Sequence, residues 1–268
     1  MSRVFDALRK SEAEAGNRIL SSPNSFLASL AKAHEPLEIP TERIEILPES
    51  HVVVHSDPHS PGGERFRVLN SYLKDLQAEG ALKTLLITSA SPHDGKSTVA
   101  TNLAIALAEK GKFNVLLLEG DLRRPSLTTL LNLKLSPGLT ECLQSGIDPK
   151  SLIRRIEPLA IYLLSAGGQS ANPLELLQSD RYAQLVTSLA NLFDWIVVDA
   201  PPVVPIADTL ALKKSADGTV LVVRAGQTCE EALNEAIRQL AGQPVLGIVL
   251  NCAEKLGNLY AKYYGGTS

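Results

Sequence analysis

The sequence predicts an α/β domain in which a doubly wound, mostly parallel sheet carries helices on both faces, and two patterns predict it. The first is a set of short runs apolar at nearly every position, residues 85–88, 115–118, 161–164, 195–198, 220–223 and 245–250. Strands apolar on both faces belong in a parallel sheet covered from both sides. The second is the set of helical stretches between the runs: residues 96–110, closed by Gly111, then 173–192 and 229–240. Strand and helix in alternation give a doubly wound domain, which binds ligands at the carboxyl ends of its strands.

Ahead of these runs the chain is organised differently. Residues 1–15 place Val4, Phe5 and Leu8 at helical spacing behind Ser2 as N-cap, which predicts an amphipathic helix. It suits docking to a partner or membrane surface and equally suits packing onto the main domain. Residues 16–63 contain Pro23, Pro36, Pro40, Pro48, Pro58 and Pro61 and predict a linker. His51, His55 and His59 recur within it, but Pro58 interrupts any helix and no Cys or carboxylate completes a metal set. Residues 64–79 place Phe66, Leu69, Tyr72, Leu73 and Leu76 on one helical face, ending at Gly80. The main domain is expected over 64–258 and a C-terminal tail over 259–268.

Composition narrows the function. The chain has 268 residues, 44% hydrophobic and 21% charged, enough for one large domain with a smaller appendage. A net charge of −3 gives no basic footprint and argues against nucleic acid as a partner. Cys142, Cys229 and Cys252 form no CxxC pair, which fits a reducing compartment. The first ten residues are too charged for a signal peptide, and no run approaches the roughly 20 apolar residues of a membrane span. The expected location is cytoplasmic, with membrane contact only through a partner or the surface.

The chemistry starts at residues 85–98, LLITSASPHDGKST, where a buried strand runs through a loop into a helix. In the pattern GxxxxGK[ST], Gly95 lets the backbone wrap a phosphate and the helix N-terminus adds its positive end. Lys96 would reach the β- and γ-phosphates of ATP and Ser97 would place its hydroxyl on Mg²⁺. Asp94, Gly95, Lys96, Ser97 and Thr98 are the expected nucleotide contacts, although Ala90 stands where the pattern has its first glycine. Two further apolar strands end in acids, at LLLEGDLRRP and IVVDAPPV. Asp121 and Asp199 there are candidate magnesium ligands, since the ion takes hard oxygens; as a bland alternative, each could cap the following helix. With the loop, these acids define the fold class more closely, as a P-loop NTPase.

In these motifs the chain resembles the bacterial protein-tyrosine kinases that control exopolysaccharide or capsule production, over about residues 64–266. Their second Walker motif reads DxDxR after three apolar residues, and their Walker B reads DxxP. GLT at 138–140, NPLELL at 172–177 and VVRAG at 222–226 extend the resemblance. It implies that Asp121 and Asp199 belong to the magnesium site, that Arg123 is the arginine of the second motif, and that Asn251 reads the adenine. Closing a strand with a turn is the alternative role for Asn251. Glu119 stands where the family has the first acid of DxDxR, which orients the attacking tyrosine hydroxyl. The family's ExxRxxR oligomerisation helix survives as Glu64 and Arg67, with Asn70 in the last position. Tyr260, Tyr263 and Tyr264 match the family's C-terminal autophosphorylation cluster.

The resemblance implies a MgATP-dependent tyrosine autokinase acting in trans within a homo-oligomer and on protein substrates. Glu119 or Asp121 would orient the acceptor. It also implies a membrane-bound polysaccharide chain-length regulator as activator, which would hold the protein at the inner face of the plasma membrane. Two alternatives stand beside it. A partitioning or division-site ATPase shares the fold but typically carries a lysine early in the loop, where this chain has Ser91. A nucleotide-binding scaffold of the polysaccharide machinery would explain Glu119 and Asn70 as marks of lost function.

Overall fold

The computed structural model describes residues 37, 39–79, 82–204 and 206–253. The expected N-terminal helix at 1–15 and the tail with Tyr260, Tyr263 and Tyr264 lie outside them.

Eight strands form one sheet: β1 (Thr41–Arg43), β2 (Thr84–Ser89), β3 (Val115–Glu119), β4 (Arg154–Glu157), β5 (Ile161–Leu164), β6 (Trp195–Asp199), β7 (Gly218–Arg224) and β8 (Val245–Asn251). Their order is β1-β4-β5-β3-β6-β2-β7-β8. From β5 to β8 every neighbouring pair is parallel, while β4 runs antiparallel to β5 and carries β1 beside it. The longer helices are α1 (Pro61–Ala78), α2 (Lys96–Ala108), α3 (Leu139–Ser145), α4 (Pro173–Gln178), α5 (Asp180–Ala190), α6 (Asp208–Leu212) and α7 (Glu230–Leu240).

Except in the edge strand β8, which is half-buried with Leu250 exposed, the apolar runs are buried on both faces because alternate residues serve different cores. Leu85, Ile87, Val115, Leu117, Trp195 and Val197 join a core with Leu73 of α1 and Leu103 and Leu107 of α2. Leu86, Leu116, Leu118, Ile196 and Val198 point the other way, to Leu139 of α3 and Tyr182, Leu185 and Leu189 of α5. The period of two along each strand thus becomes two helical layers. Eleven of the thirteen residues of α2 are buried, so this helix is held almost entirely inside.

Four features depart from the expectation. The sheet gains β1 and β4, whose Thr41–Arg43 and Arg154–Glu157 are too polar and too short to register as apolar runs. The expected helix over 173–192 is two helices meeting at Ser179, which has extended backbone (φ −69°, ψ 151°) and whose Oγ donates to Leu176 O at 2.6 Å. The first helix begins at Pro61, with Ser60 Oγ accepting from the Gly63 N–H as N-cap. Lastly, residues 41–60 are not a solvated linker. Val52 is buried against the core, and Asn102 of α2 fixes its neighbours by accepting from Val54 N–H at 3.0 Å and donating to His51 O at 2.9 Å. The prolines there mark turns in packed chain. No group of three or more His, Cys, Asp or Glu among the described residues is arranged to hold a metal ion by itself, and no described helix is long and apolar enough to cross a membrane.

Candidate functional site

The register of the sheet brings three strand ends together. Ile87 of β2 and Glu119 of β3 both pair with Asp199 of β6, so the loop after β2 opens beside both acid-bearing turns. Gly120 N–H donates to Asp199 O at 2.8 Å, which ties the two turns directly. Thr88 and Thr209 both donate to Pro201 O, at 2.6 and 2.7 Å, and fix the chain leaving Asp199.

The loop's shape depends on Asp94 and Gly95. Gly95 adopts φ +91°, and a Cβ there would collide with the Asn251 side-chain amide, so glycine is required twice over. Asp94 is buried; its carboxylate accepts from Ser91 N–H at 2.9 Å and from Thr228 Oγ1 at 2.8 Å, and its carbonyl accepts from Asn251 Nδ2 at 2.9 Å. Arg224 reinforces this belt by donating to His93 O at 3.0 Å. The ends of β7 and β8 therefore hold the loop from outside while α2 holds it from within.

Charge converges on the mouth of this loop. Lys96 Nζ lies 3.1 Å from Asp121 Oδ2 and 3.7 Å from Asp199 Oδ1. Burial alone would lower the Lys96 pKa, but Asp199 and Asp121 together outweigh it and raise it. Asp199 is fully buried; its two oxygens make no close hydrogen bond among the described residues and are faced by the Lys96 ammonium and the Ser97 hydroxyl. Burial pushes its carboxyl up to about 6 against the pull of Lys96. Asp121 accepts from Arg124 N–H at 3.0 Å, and Ser97 accepts from Ser126 Oγ at 2.8 Å.

These residues fit a magnesium nucleotide. An orphaned buried carboxylate, a second carboxylate and a serine hydroxyl are a hard-oxygen set, too few to enclose a cation alone but suited to one that arrives with phosphates and keeps several waters. The turn at Gly95 followed by α2 supplies inward N–H groups and a helix N-terminus for the phosphates.

The structure thus gathers Asp94, Gly95, Lys96, Ser97, Asp121, Asp199 and Asn251 at one place. Thr98 occupies the first turn of α2, its carbonyl accepting from Asn102 Nδ2 at 2.9 Å. Arg123 makes a two-pronged pair with buried Asp208 of α6, at 2.7 and 3.1 Å. Glu119 is fully buried and already engaged: Oε1 accepts from Ser126 and Leu127 N–H, each at 2.6 Å, and Oε2 from Ala166 N–H at 3.0 Å. Burial raises its pKa although these three donors oppose the rise. Sequence reasoning missed Ser126, Asp208 and Thr228, because each acts through a partner far along the chain. Elsewhere, burial followed by Glu141 and Asp148 pushes the Cys142 thiol up to about 11, which leaves it a poor nucleophile.

Comparison with known proteins defines the class first. Residues 81–258 match the ParA family, described as NUBPL iron-transfer P-loop NTPase. Within that class, the chain is 32% identical over 219 residues to the tyrosine-protein kinase YwqD of Bacillus subtilis, covering 81% of this chain and 92% of YwqD. It is also 32% identical to the succinoglycan biosynthesis transport protein ExoP of Rhizobium meliloti, over 80% of this chain and 30% of ExoP. Among solved structures, the chimerical protein CapA2B2 superimposes with a TM-score of 0.72 at 29% identity, over 87% of this chain and 100% of that one. The chain belongs to the bacterial tyrosine-protein kinase family.

Proposed function

We propose that this protein transfers the γ-phosphoryl group of MgATP to tyrosine hydroxyls, those of Tyr260, Tyr263 and Tyr264 in a second copy among them, as a control on exopolysaccharide or capsule production. The observation that carries this reading is the convergence of Lys96, Ser97, Asp121 and Asp199 at one loop mouth, with Lys96 3.1 Å from Asp121. Phosphoryl transfer asks a protein mainly for charge neutralisation and in-line placement of the acceptor, and this cluster is suited to both.

In this reading the turn around Gly95 cradles the phosphates and Lys96 exchanges carboxylate partners for phosphate oxygens. Ser97, Asp121 and Asp199 would hold Mg²⁺, which neutralises charge building up on the transferred group. Asp121 is the better candidate to orient the tyrosine hydroxyl, because its Oδ2 faces Lys96 at the mouth whereas both oxygens of Glu119 are occupied by backbone N–H groups. Asn251 borders the loop with both ends of its amide engaged by backbone, so its proposed role is to hold the loop, and adenine recognition, which the resemblance implies, is the competing role. The membrane-bound activator, the homo-oligomer and a place at the inner membrane face are parts of the same proposal. The activator and the membrane location draw support from the name of ExoP as a transport protein, and the homo-oligomer follows from phosphorylation of a second copy.

The test is incubation with MgATP followed by mass analysis of the C-terminal peptide, with Lys96→Met as control. Phosphate on Tyr260, Tyr263 or Tyr264 in the unaltered protein alone supports the kinase. The occupied carboxylate of Glu119 favours a second reading, a nucleotide-binding scaffold, and ATP binding without any phosphotyrosine would establish that one instead.

A further inference from the structure

The Ser97 hydroxyl is engaged from across the site. Ser126 Oγ lies 2.8 Å from Ser97 Oγ, with Lys96 Nζ 3.3 Å away on the same oxygen. Ser126 comes just before the single helical turn Leu127–Leu130, where a serine would ordinarily cap the helix, yet its side chain makes no capping hydrogen bond. The first N–H groups of that turn go to Glu119 instead, whose Oε1 accepts from Ser126 and Leu127 N–H at 2.6 Å each. Glu119 is in turn braced by Ala166 N–H at 3.0 Å on its other oxygen. With the backbone cap supplied by Glu119, the Ser126 hydroxyl is left to meet Ser97.

We infer that Glu119, Ser126 and Ser97 form an orienting relay, in which Ser126 is a positioning residue that sets the Ser97 hydroxyl for Mg²⁺. A serine oxygen that gives a lone pair to a cation must direct its own proton to another acceptor. Two hydroxyls 2.8 Å apart can exchange donor and acceptor roles by rotation alone, so Ser126 Oγ can accept a hydrogen bond from the Ser97 hydroxyl without any shift of the backbone. Glu119 fixes where Ser126 stands and does not itself touch substrate. Partners behind a metal ligand commonly govern metal affinity as strongly as a direct ligand of modest strength. The relay rests on the MgATP reading proposed above and gives Glu119 a role independent of tyrosine chemistry.

The test uses the full chain and a fluorescent ADP analogue, titrated with Mg²⁺ and, separately, bound in excess EDTA. Ser126→Ala is expected to need roughly tenfold more Mg²⁺ for half-maximal binding, with affinity in EDTA unchanged and Ser126→Thr restoring the original requirement. An unchanged Mg²⁺ requirement in Ser126→Ala overturns the relay. So does an equal loss of affinity in EDTA, which would make Ser126 a structural residue of the loop. Failure of the unaltered protein to bind the nucleotide in a Mg²⁺-dependent way would overturn the MgATP reading itself, and the relay with it.

Discussion

Lys96 and Asp121 are joined at 3.1 Å with almost no solvent around either side chain, and Asp199 stands 3.7 Å from the same ammonium. The charge that phosphates would require is thus held by two carboxylates. Lys96→Met should abolish nucleotide binding, but it should also destabilise the protein, because two buried carboxylates lose their counter-charge. Breaking a buried pair costs about 3–5 kcal/mol. The loss here should fall at the low end, about 3 kcal/mol, since Asp199 can take up a proton instead. Chemical denaturation without nucleotide checks this, and a variant as stable as the parent would mean that the ion pair is not formed in solution.

Arg123 and Asp208 make a different kind of pair. Asp208 is fully buried while the Arg123 side chain is 44% exposed, so the arginine acts as a lid on a charge that has no access to water. Hydrogen bonding to Asp208 raises the Arg123 pKa. Arg123→Ala should cost about 1–3 kcal/mol, the usual penalty for a buried group left unsatisfied. Arg123→Lys should recover only part of that, because a lysine cannot reproduce the two-pronged geometry. Asp208→Asn combined with Arg123→Ala should be less destabilised than Arg123→Ala alone. Denaturation midpoints of the three variants decide it, and a fully rescued Arg123→Lys would show that only charge matters.

Asn251 offers a choice between two roles that one experiment separates. Its Nδ2 donates to Asp94 O at 2.9 Å and its Oδ1 accepts from Cys252 N–H at 2.9 Å, so both polar ends of the amide are engaged by backbone. Asn251→Ala should therefore weaken ATP and GTP analogues by the same factor, about fivefold to tenfold for one lost hydrogen bond of about 1 kcal/mol. Competition binding with both nucleotides reads the ratio directly. A selective loss for the adenine nucleotide would instead assign base recognition to Asn251.

The residues that were legible in the sequence are those whose signal is local. Six strands and the loop at Gly95 could be read because apolar runs and the GKST turn are contiguous, and burial on both faces follows from the runs in all of them but the edge strand β8. The parallel pair β1 and β4 could not be read: its residues are mostly polar and its stability comes from pairing 114 residues apart, as at Thr41 and Arg155 or Arg43 and Glu157. Ser126 and Thr228 were illegible for the same reason, since a serine or threonine in a loop is ordinary until its partner across the site is known. Glu119 was recognised by position, yet its three backbone donors come from residues 126, 127 and 166, and only folding brings them to one carboxylate.

Asp199 should trade stability for function as pH changes. Its carboxyl titrates at about 6 in the folded protein, above the ordinary value of 3.8, because burial disfavours the charged form more than Lys96 favours it. The folded state therefore binds more protons than the unfolded state between those values, and this group's contribution to stability falls as pH rises through about 4 to 6. Asp199→Asn removes that titration. Its melting temperature relative to the parent, measured without nucleotide or Mg²⁺, should thus become more favourable between pH 5 and pH 7.5. A gain of about 1 kcal/mol corresponds to roughly 2–4 °C in a protein of this size. The same variant should lose Mg²⁺-dependent nucleotide binding at both pH values, since a neutral amide is a weak substitute for a carboxylate on a hard cation. A stability difference that stays flat or falls across this range would mean that Asp199 is ionised throughout and that Lys96 fully compensates its burial.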